Sequence, residues 1–179
     1  IWAQARDYRR AFDWLAQRPQ VDPARIGIWG SSISGGEVIA VGACDRRVRA
    51  VVANVPFASL PDTEQRLADP FAFAAIRAAL LDESGGGPAD AAGEATGPLA
   101  VVPEEGVDLP PFLAFPEASE WFLRAGADPG AGWHNRVTLR NCFGTVPTFD
   151  PGGCASHIAP TPLLMVVASE DRLAPTEGA

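Results

Sequence analysis

The stretch that most restricts what this chain can become is Ile26-Gly27-Ile28-Trp29-Gly30-Ser31-Ser32-Ile33-Ser34-Gly35-Gly36. A short apolar run rich in β-formers and bounded by turn residues predicts a buried strand over 26–29. It empties into a turn made almost wholly of Gly and Ser. Residues 37–44, Glu-Val-Ile-Ala-Val-Gly-Ala-Cys, then predict a short buried helix. Asp45-Arg46-Arg47 reverses the chain, and residues 48–55 form a second apolar strand closed by Pro56. Strand, helix and strand in so short a span make a βαβ crossover, which implies a parallel sheet. The expected fold class is α/β.

Other patterns surround this unit. Trp2, Ala5, Tyr8, Phe12 and Leu15 recur at helical spacing, so residues 1–18 form an amphipathic helix that Pro19 ends. Arg6, Arg9, Arg10, Asp13 and Gln17 largely take its other faces. Residues 163–168 predict a third strand, and Ser169-Glu170-Asp171-Arg172-Leu173-Ala174-Pro175 is the loop just past its carboxyl end. Between these lies a segment of different character. Residues 65–81 are Ala-rich and helical, interrupted near Pro70. Residues 83–111 are Gly- and Pro-rich and read as loop. Residues 117–125 predict a helix with Trp121, Phe122 and Leu123 buried, and 133–143 a further short helix. The expected organisation is a core of residues 1–56 and 158–179, with residues 57–157 inserted and the loop 83–111 inside the insertion.

Composition narrows the function. Of 179 residues, 47% are hydrophobic and 20% charged, which is globular rather than disordered composition. The net charge of −8 argues against a nucleic-acid partner, because phosphate binding wants a basic face. All basic residues are Arg, so Schiff-base chemistry and a P-loop lysine are excluded. Cys44, Cys142 and Cys154 form no CxxC pair and read as reduced small hydrophobes. Two isolated His offer no metal-ligand spacing, and no cofactor or metal is implied. The longest apolar run is strand length, so no membrane partner is expected. Unpaired cysteines and no visible targeting segment favour the cytoplasm.

Gly30-Ser31-Ser32-Ile33-Ser34 stands between a strand and a helix, the context that a G-x-S-x-G nucleophile elbow requires. The central Ser32 sits on a strained turn with its hydroxyl above the sheet. The positions two before and two after crowd the neighbouring backbone, so both must be small. Gly30 meets this, and Ser34 replaces the second Gly, with Gly35-Gly36 following at once. The helix start aims its amides at the site, and the Ile33 amide is one oxyanion donor. Ser31 and Ser34 read as turn or helix-capping serines rather than nucleophiles. A Ser hydroxyl needs a base, normally a His steered by a carboxylate. Asp171 fits the carboxylate, and also reads as a solvated loop acid or helix cap; Glu170 is the weaker candidate. The order expected is Ser, acid, His, and no His follows Asp171. His134 and His157 read as ordinary polar residues.

The stretch from Asp22 to Gly36 resembles the α/β-hydrolase superfamily, in particular its dienelactone-hydrolase-like and acetylxylan-esterase-like branch near the Xaa-Pro dipeptidyl-peptidase-like hydrolases. Residues 45–52, 133–140 and 158–165 match as well. The resemblance implies a partial α/β-hydrolase fold, Ser32 as nucleophile, Asp171 as triad acid, and the insertion as a helical cap over the site. It implies a small-molecule ester, thioester or related acyl substrate. Trp121 and Trp133 could line the site, though large aromatics more often fill cores. Members often carry an aromatic where Ile33 stands. The family's earlier strands and its terminal His loop have no counterpart here, so the sequence reads as an internal fragment. A fragment without the triad His is expected to lack useful esterase activity. The alternative is a non-catalytic α/β-hydrolase-fold binding protein.

Overall fold

The computed structural model describes residues 2–58, 77, 80, 81, 95–140 and 151–171. The chain forms two compact units, Ile1–Ala91 with Phe143–Ala179, and Ala92–Cys142.

The first unit is built on a three-stranded parallel sheet of β1 (Ile28–Ser31), β2 (Val51–Asn54) and β5 (Leu163–Val166), in the order β1-β2-β5. The parallel α/β arrangement expected from the crossover is present. In register, Ile28, Val51 and Leu163 form one row, and Ser31, Asn54 and Val166 the last, so all three strands end at one edge.

Helix α1 (Trp2–Ala16) and helix α2 (Ile33–Cys44) supply the cover. Every residue of α2 from Gly35 to Cys44 is buried, as a helix apolar on all sides must be. Gly42 lets it approach β2: a Cβ there would lie 2.5 Å from Val51 Cγ2. Ala5 and Phe12 of α1, Val38, Ile39 and Val41 of α2, and Val51 and Ala53 of β2 form the core. Each large aliphatic buried this way contributes about 1.5–3 kcal/mol. Arg6, set by periodicity on a polar face, is instead buried. Cys44 and Cys154 are buried, and burial pushes the Cys44 thiol up to about 11, which makes it inert. The 3-10 helix Gly152–His157 runs along α2: its Gly152 amide bonds Ala58 near the strands' carboxyl ends, and Arg46 at the other end binds the Ile158 and Ala159 carbonyls.

The second unit departs from expectation twice. Strand β3 (Ala95–Leu99) lies within the expected loop, and strand β4 (Val137–Arg140) where a short helix was expected. They pair antiparallel, with the register shifting between Thr96 and Leu99. Pro98 has no N–H for a ladder, and such residues survive in strands at bulges and edges. The β-branched Val137 and Thr138 suit a strand better than a helix. Helix α3 (Pro116–Gly126) matches the expected one, but Trp121 is 56% exposed rather than buried. Trp133 covers Gly126, where a Cβ would overlap its indole, and stacks on Phe122 at 6.0 Å between centroids. The Ala-rich helix expected over 65–81, and Cys142, lie largely or wholly outside the described residues. Among those described, no helix is long and apolar enough to cross a membrane.

Candidate active site

β1 passes into α2 through Ser32 alone. That residue has φ 58° and ψ −122°, a sparsely populated region that costs a non-glycine residue on the order of 1–3 kcal/mol. Neighbouring backbone holds it there. The Ser32 amide donates to the Asn54 carbonyl at 3.0 Å, and its carbonyl accepts from the amides of Phe57 at 2.9 Å and Gly36 at 3.3 Å. The Ser32 side chain is exposed and makes no capping hydrogen bond to α2.

The small residues around it are required by contact. A Cβ on Gly30 would overlap the Ser34 carbonyl oxygen, and one on Gly35 would lie 2.9 Å from Pro56 Cα. Ser34 does more than stay small. Its hydroxyl donates to the Ser31 carbonyl at 2.8 Å and accepts from the Ser31 amide at 3.0 Å. Asn54 Nδ2 donates to Ser31 Oγ at 3.1 Å. The sequence placed Ser34 as a small turn serine; the role of Asn54 left no local signal, since the partners are 23 residues apart. Ile33 opens α2, so its amide is among those with no intrahelical partner, and the helix's positive end faces the turn.

Asp171 follows β5 at the same edge. Its amide bonds the Ala168 carbonyl at 3.2 Å, closing a turn just past the strand, and the residue is half-buried. Because β2 lies between, the ends of β1 and β5 are separated by two strand spacings, roughly 10 Å. Ser32 and Asp171 thus rise from the carboxyl edge of one sheet, where ligands of open α/β sheets bind. Glu170 is exposed in the same loop. His157 ends the 3-10 helix toward the strands' amino edge, and His134 belongs to the second unit.

One buried group beneath the elbow has no counterpart in the expected site. Glu37, one turn into α2, is 2% exposed, and its Oε1 has no hydrogen-bond partner among the described residues. Burial raises its pKa to about 7, with Asp7 adding to the effect.

The acetyl xylan esterase (AXE1) family model matches residues 5–68, the segment from α1 through the elbow and β2. The chain is 28% identical over 183 residues to thiohydrolase aneE of Aspergillus aculeatus, an alignment covering 97% of this chain and 54% of that protein. It superposes on the crystal structure of α/β hydrolase GrgF from Penicillium sp. sh18 with a TM-score of 0.54 and 24% identity, covering 98% of this chain and 56% of the other. It superposes on DcsB, solved in complex with its substrate analogue, with a TM-score of 0.57 and 22% identity, over 99% and 58% of the two chains. The chain spans about half the length of these relatives.

Proposed function

On the α/β-hydrolase fold, which this chain carries, we propose that Ser32 is the nucleophile of an acyl-transfer reaction on a small-molecule ester or thioester. The observation that carries this reading is the conformation of Ser32: positive φ, an exposed hydroxyl, and a helix start directly behind it. A strained non-glycine residue persists only where the surrounding structure over-determines it, and such residues cluster at functional sites.

In this mechanism the Ser32 hydroxyl attacks the acyl carbonyl while its proton passes to a general base, the role that a histidine from outside this chain, steered by Asp171, would fill in a triad. The carbonyl π electrons move onto oxygen, and the Ile33 amide donates to that oxyanion. Collapse of the tetrahedral intermediate breaks the bond to the alcohol or thiol, which leaves with the proton that the general base had taken. The acyl group then rests on Ser32 until water attacks and hydrolyses it. Another hydroxyl or amine in place of water would turn hydrolysis into transfer; the elbow serves both, because acceptor choice lies in the pocket above it. The matched thiohydrolase and esterase names fit an acyl substrate.

The test is covalent. A fluorophosphonate probe should modify the protein bearing this sequence at Ser32, mapped by mass spectrometry, and Ser32→Ala should abolish both that label and p-nitrophenyl acetate turnover. Labelling elsewhere, or equal turnover by the variant, removes Ser32 as the nucleophile, and neither label nor turnover in the wild type removes the proposal in favour of a non-catalytic binding role.

A further inference from the structure

We propose that Ser34 is a positioning residue for the nucleophile, its hydroxyl acting as a lock on the backbone of Ser31, the residue immediately before Ser32. This rests on the reading of Ser32 given above and deepens it.

The geometry follows from strand alternation. The amides of Ile28 and Ser32 bond the carbonyls of Ala50 and Asn54, so these residues direct their backbone groups toward β2. The residues between them, Trp29 and Ser31, therefore turn their N–H and C=O away from β2, toward the outer edge of β1. The described sheet has no strand at that edge, since β1 is terminal in the order β1-β2-β5. Side chains serve these groups instead. The Tyr8 hydroxyl donates to the Trp29 carbonyl at 3.1 Å. The single hydroxyl of Ser34 serves both backbone groups of Ser31, accepting from its amide and donating to its carbonyl.

A glycine at position 34 would satisfy the steric demand of the turn and remove both bonds. With serine, the peptide units on either side of Ser31 are tied to the first turn of α2, and the direction of the Ser32 Cα–Cβ bond is tied with them. From the other side, Asn54 holds Ser32 by its carbonyl and Ser31 by its side-chain amide. Ser34 thus fixes the outer flank of an elbow whose inner flank β2 already holds. A nucleophile must meet an acyl carbonyl at a defined angle, so looseness here reduces rate more than stability.

The experiment combines amide exchange by NMR with the rate of Ser32 phosphonylation, for the wild type, Ser34→Ala, Ser34→Gly and Ser34→Thr. In the Ala and Gly variants the Ser31 amide should exchange about tenfold faster and Ser32 should label about tenfold more slowly, the scale of one or two lost hydrogen bonds. Amides of Ile39 and Val41 should exchange as before, and Thr, which keeps a hydroxyl, should restore both signals. If Ser34→Ala does not fold, Ser34→Gly carries the same comparison. Unchanged Ser31 exchange, or faster exchange with a wild-type label at Ser32 that the variants match in rate, overturns the lock. Faster exchange with no wild-type labelling at Ser32 removes the nucleophile reading and leaves the lock standing as a feature of the turn.

Discussion

At the scale of single residues, Glu37 is the one that a chain selected only for stability would not keep. It sits in a helix otherwise apolar on every side, with Asp7 and the buried Arg6 on the helix packed against it. A carboxyl whose pKa rises from 4.5 to about 7 on folding holds its proton more tightly in the folded state than in the unfolded one. Its contribution is therefore fully favourable below pH 4.5, shrinks as pH rises toward 7, and is constant above. The full difference is about 3 kcal/mol. Glu37→Gln has no such titration. Urea unfolding at pH 4.5 and pH 8 should show the wild type losing up to that amount relative to the variant. Equal losses would mean that the carboxyl ionises in the folded protein as it does in water. Only the apolar neighbours of Glu37 hint at its burial, because a Glu in the first turns of a helix is ordinary near the positive end of the dipole.

At the scale of elements, the junction of α1, α2 and the turn into β2 is held by Asp45. Its carboxylate receives Arg47 Nε at 2.8 Å and Arg47 NH2 at 2.6 Å, the two parallel bonds of a guanidinium fork, and Arg9 Nε at 3.3 Å. Arg47 also lies over the Phe12 ring at 4.8 Å. Burial alone would raise the Asp45 pKa, but the hydrogen bonds from Arg47 and Arg9 outweigh it and hold the carboxyl below its usual range. Asp45→Asn should cost about 2 kcal/mol at neutral pH, discounted because Arg47 is half in solvent. The difference should vanish as pH falls through the depressed pKa, where the wild-type carboxyl is neutral too; a difference that persists in acid would assign the cost to shape rather than charge. Local pattern made this region legible. The strand–turn–helix–strand run from 26 to 55 is contiguous, and its turn residues announce themselves. Only its boundaries moved: β1 runs on to Ser31 and α2 begins at Ile33, because the elbow is one residue wide. The β3–β4 pair was not legible, since residues 95–99 find their partners about forty positions later, and Gly97-Pro98 carries every mark of a loop.

At the scale of the molecule, register decides what the sheet of the first unit shows to solvent. Rows one and three, with Ile28, Val51, Leu163, Ala53 and Met165, meet the helices and join the core. Rows two and four turn the other way. They carry Trp29 at 59% exposure, Leu164 at 56% and Val166 at 45%, beside the half-buried Val52. A parallel sheet is normally covered on both faces, and its strands are apolar throughout for that reason. Here the apolar pattern is two-sided and, among the described residues, the helical cover is on one side. Contiguous apolar area of this kind binds hydrophobic dyes and promotes association. Leu164→Lys with Val166→Lys should therefore lower dye fluorescence severalfold and reduce light scattering at high protein concentration. The unfolding midpoint should barely change, because side chains already half in water have little burial to lose. Unchanged dye binding with a large drop in the midpoint would show instead that this face is covered in solution, and that Leu164 and Val166 belong to a second core.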